Sequence, residues 1–225
     1  MKAVIESLLS NNIRRAASRH RKDPGSFRGR GAGRAQKYLW IGCAEAGEPA
    51  NEIVGLEPGD VFVHRNLANL AQPHDPNWLS VLQFALEAPG VEHVIVCGHY
   101  GCGGVRAALD GARSGILDHW LQPIRTVYWR HADEIERIGE PKARVNHLCE
   151  RNISAQVESM AGNPLIRDAW GAGRALSVHG WIYSTGDGLL RDLGATVSDL
   201  AGADALLRGR PPAASSGGRA GRRRA

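Results

Sequence analysis

The sequence predicts an α/β protein with a central, mainly parallel β-sheet flanked by helices. Three observations support this fold class. Short apolar runs alternate along the chain with longer segments of helical periodicity. The runs are apolar throughout, as expected of strands that are buried on both faces of a parallel sheet. Two of them end in a glycine next to cysteine or histidine, which is typical of strands that deliver polar side chains to one sheet edge.

The composition is that of a soluble globular protein. With 225 residues, of which 43% are hydrophobic and 23% charged, the chain can bury a sizeable core as one domain. No apolar run approaches the roughly 20 residues of a membrane helix, and residues 1–22 lack the apolar region of a secretory signal. The chain has four cysteines, which do not form a disulfide framework at this length. We therefore expect no membrane partner and a cytoplasmic location.

The basic charge does not by itself predict nucleic-acid binding. The formal net charge is +5, and much of the excess lies in residues 14–34 and 208–224. No basic face interleaved with aromatic residues accompanies it, and no recognised nucleic-acid motif is present. We expect no specific nucleic-acid partner.

The elements follow from periodicity and from the residues that bound them. Apolar runs that stop at glycine, proline or polar residues predict strands at residues 38–43, 61–64, 93–97 and 175–182. Apolar positions three or four residues apart predict helices at residues 2–20, 49–55, 78–88, 117–139 and 143–161, and a last helix that opens within 187–193.

Two segments differ from the rest in composition. Residues 25–36 are rich in glycine and arginine and poor in apolar residues, which predicts an irregular link. Residues 209–225 are basic and of low complexity, which predicts a disordered tail. We therefore expect one domain over residues 1–208, followed by this tail.

Cysteine and histidine side chains follow two of the predicted strands. Cys43 ends the strand at 38–43, and His99 and Cys102 follow the strand at 93–97. Two thiolates and an imidazole are soft ligands that suit Zn²⁺, and three ligands with an open fourth position are typical of a catalytic site. In such a site the metal lowers the pKa of its bound water to about 7.

The spacing of His99 and Cys102 is a weak signal alone, because a histidine at a strand end is more often a structural group. Glycines around the pair favour the metal site, since they let the backbone turn tightly. They are Gly42, Gly98, Gly101, Gly103 and Gly104.

Six longer motifs occur in a characteristic order: LWIGC (39–43), PANEIVGLEPGDVFVHRNLANL (49–70), LSVLQFA (79–85), VEHVIVCGHYGCGGV (91–105), LCERNISAQV (148–157) and VHGWIYSTGDGLLRDL (178–193). Through them, roughly residues 1–198 resemble a β-class carbonic anhydrase. The resemblance implies reversible hydration of carbon dioxide to bicarbonate and a proton, with one Zn²⁺ per subunit on Cys43, His99 and Cys102. It also implies a homodimer, often paired into a tetramer, whose N-terminal helix packs on the partner subunit.

The resemblance implies a second, noncatalytic bicarbonate pocket as well, which in one subgroup of the family stabilises an inactive state. Its residues correspond to Trp40, Arg65 and Tyr183, all of matching type. An arginine fork suits a planar anion, and tyrosine and tryptophan add donors. The alternative is that Trp40 is a core residue and Arg65 pairs with a carboxylate.

The chain departs from the family directly after the first ligand. The family reads Cys-Ser-Asp-Ser-Arg-Val-Pro, whereas residues 43–49 read CAEAGEP. In the family, the aspartate paired to the arginine leaves the metal open, and the released aspartate binds the metal and closes the site. Glu45 and Gly47 stand at these two positions, so the pair cannot form. We expect Glu45 to become a fourth ligand and hydration to be impaired.

These departures leave other functions open. The main alternative is a noncatalytic, zinc-containing homologue of the same fold that binds bicarbonate or is purely structural. Hydrolysis of carbon disulfide or carbonyl sulfide is a third hypothesis, which no residue selects. The family also has a glutamine that points at the substrate across the dimer. It aligns with Arg34, and Gln36 can serve only after a two-residue deletion.

Overall fold

The computed structural model of this chain describes residues 2–27, 36–88, 90–111 and 115–209. Most of the predicted link at 25–36 and almost all of the predicted tail at 209–225 lie outside these ranges. The chain divides into two compact units, Met1–Arg34 and Ala35–Ala225, which we describe separately.

The first unit contains the helix α1 (Lys2–Lys22), which confirms the predicted N-terminal helix. Its last turn carries Arg19, His20, Arg21 and Lys22, whose charges complement the negative end of the helix dipole. The apolar side chains of Ile5, Leu8, Leu9 and Ile13 are exposed.

The second unit is built on a five-stranded sheet in the order β2-β1-β3-β4-β5. The strands are β1 (Tyr38–Cys43), β2 (Val61–Asn66), β3 (His93–His99), β4 (Ser177–Ser184) and β5 (Leu189–Val197). The first four are parallel to one another, and β5 runs antiparallel to β4. The predicted fold class, a mainly parallel sheet flanked by helices, is confirmed.

The predicted helix opening within 187–193 is wrong, because β5 occupies this segment. Leu189, Leu190 and Leu193 suggest helical spacing, but Ser184–Gly188 forms a tight turn that reverses the chain onto β4. Gly188 has φ +71°, a conformation that favours glycine, and Asp187 accepts a hydrogen bond from the Leu189 amide. The Asp-Gly sequence is itself a hairpin signal. The last helix begins later, after Asp199.

The helices mostly lie near their predicted positions. They are α2 (Ala50–Ile53), α3 (Pro76–Glu87), α4 (Gly103–Leu109), α5 (Ile116–Trp120), α6 (Gln122–Arg130), α7 (Ala132–Glu136), α8 (Pro141–Ala161), α9 (Pro164–Gly171) and α10 (Leu200–Leu207). The single helix predicted at 117–139 is three short helices, α5 to α7. Helices α4, α9 and α10 were not predicted. Within the described ranges no helix is long and apolar enough to cross a membrane.

The sheet separates two apolar clusters, as the alternation of side chains along β1 illustrates. Leu39, Ile41 and Cys43 belong to the larger cluster, which also contains buried residues of α3 and α8. Trp40 points to the smaller cluster with Tyr183 and Ala50. Both faces of β1 are therefore covered, which explains its continuous apolar run.

The strand order places a switch point between β1 and β3. The chain leaves β1 for β2 on one side and then returns to β3 on the other side. In open parallel sheets the crevice at the carboxyl ends of such strands is the usual ligand site. Here these ends are Cys43 and His99.

Candidate metal centre

Cys43 is the last residue of β1 and is fully buried. Its Sγ accepts hydrogen bonds from the backbone N–H groups of Glu45 at 3.4 Å and Ala68 at 3.2 Å. Ala68 has φ +66°, a left-handed conformation that is strained for a non-glycine residue. The strained turn thus directs an amide at the sulfur, which stabilises the thiolate form.

His99 ends β3, and its side chain is buried. Its Nδ1 lies 3.1 Å from the carbonyl oxygen of Tyr100, which can accept its proton. Nε2 then carries the free lone pair of the imidazole ring. This buried atom has no hydrogen-bond partner in the described structure. A histidine that is oriented by a carbonyl through one nitrogen and presents the other is typical of a metal ligand.

Cys102 lies directly before α4, and its Sγ is 3.8 Å from the Sγ of Cys43. Two thiolates at about 2.3 Å from a tetrahedral Zn²⁺ would be about 3.8 Å apart, so the sulfur pair already has the required separation. The hydrogen bond between the two sulfurs lowers the pKa of Cys43 to about 4 and raises the pKa of Cys102. Burial opposes charge on His99, yet the nearby sulfur of Cys43 and the carbonyl of Tyr100 outweigh it and raise the imidazole pKa.

Glu45 completes the cluster. Its Oε2 is 3.8 Å from Nε2 of His99 and accepts a 2.7 Å hydrogen bond from the Gly103 amide. One ligand atom from each of Cys43, Glu45, His99 and Cys102 lies within 4.8 Å of the others. Two sulfurs, an imidazole nitrogen and a carboxylate oxygen form a donor set that fits tetrahedral Zn²⁺.

The predicted glycines have distinct roles around this cluster. A Cβ at Gly103 would lie 2.9 Å from Oε1 of Glu45, and one at Gly104 would lie 3.1 Å from Cγ of Leu67. A Cβ at Gly42 would lie 2.8 Å from the indole nitrogen of Trp40. Gly101 has open space but a φ of +70°. A Cβ would therefore crowd its neighbours at Gly42 and Gly104, would meet only the movable end of the Glu45 side chain at Gly103, and would be disfavoured by backbone conformation at Gly101.

We expect Gly101→Ala to lower the free energy of unfolding by about 1 kcal/mol, because alanine resists positive φ. Gly171→Ala is the matched control. It also has no atom within 4 Å of the new Cβ, but Gly171 lies in α9 without a positive φ, so the change should stabilise by about 0.5–1 kcal/mol. Urea denaturation measures both. Changes of the same sign would contradict this assignment.

The sequence did not reveal the residues of α8 that hold Tyr100 and Gly101, which lie between His99 and Cys102. The Tyr100 hydroxyl donates to Glu150 at 2.6 Å, and the Gly101 amide donates to Oδ1 of Asn146 at 3.0 Å. The Tyr100 amide also donates to the carbonyl of Tyr183. Two polar residues four apart on α8 were the available signal, but this pattern alone does not specify their partners.

The residues of the predicted bicarbonate pocket lie beside the metal cluster. Trp40 and Tyr183 are both buried in the smaller apolar cluster. Arg65 points its guanidinium at Cys43, Ala46 and Glu48, whose carbonyl oxygens accept its hydrogen bonds. Within the described ranges Arg65 therefore pairs with carbonyl oxygens rather than with a carboxylate.

The position of the family's arginine is open in space. A Cβ at Gly47 would meet no atom within 4 Å. Gln36, the second candidate for the family's glutamine, donates its side-chain amide to the carbonyl of Gly59. Arg34 lies outside the described residues.

Comparison with known proteins agrees with this geometry. The family model described as "Carbonic anhydrase" matches residues 38–190. A carbonic anhydrase of Emericella nidulans is 40% identical over 188 residues, which are 84% of this chain and 82% of that protein.

Two solved structures are similar over most of their length. One of two tetrameric β-carbonic anhydrases from Sordaria macrospora is 38% identical with a TM-score of 0.82, covering 87% of this chain and 99% of that one. The β-carbonic anhydrase CafA of Aspergillus fumigatus is 36% identical with a TM-score of 0.81, covering 91% and 97%. The chain therefore belongs to the β-carbonic anhydrase family.

Proposed function

We propose that this protein is a zinc-dependent carbonate dehydratase whose turnover is reduced because Glu45 closes the metal site. The reaction is the reversible hydration of carbon dioxide to bicarbonate and a proton. The cluster of Cys43, His99 and Cys102, with a sulfur separation that suits Zn²⁺, is the observation that carries the metal assignment.

The chain's residues have separate tasks in this reaction. Zn²⁺, when bound, supplies the Lewis acidity that activates water near neutral pH. Amides of Glu45 and Ala68 hold the Cys43 sulfur, and the Tyr100 carbonyl fixes the ring of His99. Burial of Cys43, His99 and Cys102 keeps the ligand atoms dry, which strengthens every electrostatic interaction between them.

Closure follows from the charges around Glu45. Its carboxylate already lies among the ligand atoms, and one hydrogen bond from the Gly103 amide is compatible with coordination through the carboxylate. No side chain at position 47 can draw it away, and both Nη atoms of Arg65 already donate to backbone carbonyls, which leaves only the Nε edge of the guanidinium for an anion. An anionic ligand without a competing cation should occupy the fourth position.

A noncatalytic zinc protein of the same fold is the second candidate, and the same position of Glu45 favours it. The two functions differ in a single quantity, the fraction of protein with an open fourth position. Stopped-flow measurement of carbon dioxide hydration on zinc-loaded protein decides between them. A zinc-dependent rate above buffer supports the enzyme, and a rate equal to that of buffer supports the noncatalytic protein.

We expect Gly103→Ala to raise the hydration rate, because the new methyl group would displace the Glu45 carboxylate, the far end of a flexible side chain. A shift of about 1.4 kcal/mol in the open–closed equilibrium would give about tenfold. The control is the same substitution in a Glu45→Ala background, where no carboxylate remains to displace. A similar gain in that background would show that the methyl group acts by another route.

We also propose that Trp40, Arg65 and Tyr183 form a bicarbonate pocket. Nε of Arg65 has no partner among the described residues, so one edge of the guanidinium can still receive a planar anion. Trp40 and Tyr183 lie in one apolar cluster, and a Cβ at Gly42 would lie 2.8 Å from Nε1 of Trp40 and 3.7 Å from Nη1 of Arg65.

Self-association belongs to the same proposal, in which α1 packs on a partner subunit. The exposed apolar side chains of α1 support it, and the similar Sordaria macrospora proteins are described as tetrameric. All four cysteines are unpaired thiols, which supports function in a reducing compartment such as the cytoplasm.

A further inference from the structure

The guanidinium of Arg65 binds three backbone carbonyls that surround Glu45. Nη1 donates to Cys43 at 2.7 Å and to Ala46 at 3.0 Å, and Nη2 donates to Glu48 at 2.6 Å. These residues flank Glu45 on both sides. One planar cation near the end of β2 therefore spans the segment that carries Glu45 past the metal cluster.

Packing alone does not fix this segment. Ala44, Glu45, Gly47 and Glu48 are exposed, and a Cβ at Gly47 would meet nothing within 4 Å. Its other backbone hydrogen bonds lie at its beginning, where the Ala44 amide donates to the Asn66 carbonyl, the Glu45 amide to Sγ of Cys43 and the Ala46 amide to the Cys43 carbonyl. Beyond Ala46, the hydrogen bond to Glu48 ties the segment back to the sheet.

We propose that Arg65 is a positioning residue that keeps the carboxylate of Glu45 within reach of Cys43, His99 and Cys102. This inference rests on the proposed function, in which Glu45 is the fourth ligand. Arg65 acts through the backbone: it holds the carbonyls on either side of Glu45, and the held backbone aims the side chain. A lysine cannot replace it, because an ammonium is a compact point charge and not a fork that spans several acceptors.

The test uses the full chain loaded with Co²⁺, whose visible absorption reports the thiolate ligands and the fourth position. Azide, a small anion, is titrated into wild-type protein and into Arg65→Met, Arg65→Lys and Glu45→Ala. If Arg65 positions Glu45, azide should bind at least about tenfold more tightly to Arg65→Met and Arg65→Lys than to wild type. Adding Arg65→Met to Glu45→Ala should change azide affinity little.

The inference is overturned if both Arg65 variants bind azide with the same affinity as wild type while Glu45→Ala binds azide more tightly than wild type. A different result would overturn the proposed closure itself, namely equal azide affinity in wild type and Glu45→Ala. Far-UV circular dichroism and one thiolate-bound Co²⁺ per chain confirm that each variant is folded. If Arg65→Met does not fold, the comparison rests on Arg65→Lys, which keeps the positive charge.

Discussion

Cys43→Ala is expected to weaken zinc binding about a hundredfold and to lower zinc-dependent hydration of carbon dioxide with it. The Cys43 sulfur lies 3.8 Å from that of Cys102 and receives two backbone amides, so its loss removes a charged ligand from a buried site. Zinc sites with four protein ligands bind with about 10–16 kcal/mol, so one ligand corresponds to about 3 kcal/mol, or roughly a hundredfold in affinity. Competition with a chromogenic chelator measures this loss.

Cys97→Ala is the matched control. Cys97 is also a buried cysteine near the end of a strand, but its side chain belongs to the smaller cluster with Trp40 and Tyr183. Burial raises the pKa of its thiol to about 12, so it is no thiolate at neutral pH. Equal zinc affinity in wild type and Cys43→Ala would remove Cys43 from the ligand set.

The double substitution Glu45→Asp with Gly47→Arg is expected to raise the hydration rate by about 10- to 100-fold. A restored arginine would hold the carboxylate away from the metal with charged hydrogen bonds of about 1.5–3 kcal/mol. The new side chain has room, since a Cβ at Gly47 meets no atom within 4 Å and the residue has no positive φ. Stopped-flow hydration with zinc-loaded proteins measures the gain.

Two further variants separate the effect of a shorter carboxylate side chain from the effect of a cation at position 47. Glu45→Asp alone shortens the side chain without supplying a cation, so its rate should remain well below that of the double variant. Gly47→Lys in the Glu45→Asp background supplies a positive charge that cannot bind the carboxylate with two parallel hydrogen bonds. It should therefore raise the hydration rate less than arginine does. A wild-type rate as high as that of the double variant would mean that Glu45 does not close the site.

The clustering of Cys43, His99 and Cys102 could be predicted because its signal is local. Cys43 and His99 each end a buried apolar run, and parallel strands place such ends at one edge. Their chemical identity then specifies the metal class. The departure at Glu45 and Gly47 was equally visible, since it lies inside a motif that the rest of the chain matches.

The supporting contacts could not be predicted, because they depend on backbone geometry. The amide of Ala68 reaches Cys43 only through a left-handed turn, and nothing about alanine signals that conformation. The carbonyl partners of Arg65 carry no side-chain signal either, so its sequence context suggested an anion or a carboxylate. The helix predicted from residue 187 onward is wrong because the leucine spacing resembles that of a helix, whereas the Asp187-Gly188 turn reverses the chain into β5.

The central claim is that Glu45 occupies the fourth position on the metal. It rests on a carboxylate oxygen 3.8 Å from the imidazole nitrogen of His99 and on the lack of a side chain at position 47. A crystal structure of the zinc-loaded wild-type protein near neutral pH tests it most directly. We predict a Glu45 carboxylate oxygen about 2.0–2.2 Å from Zn²⁺. A water molecule at the fourth position, with the Glu45 carboxylate turned away from the metal, would contradict the claim.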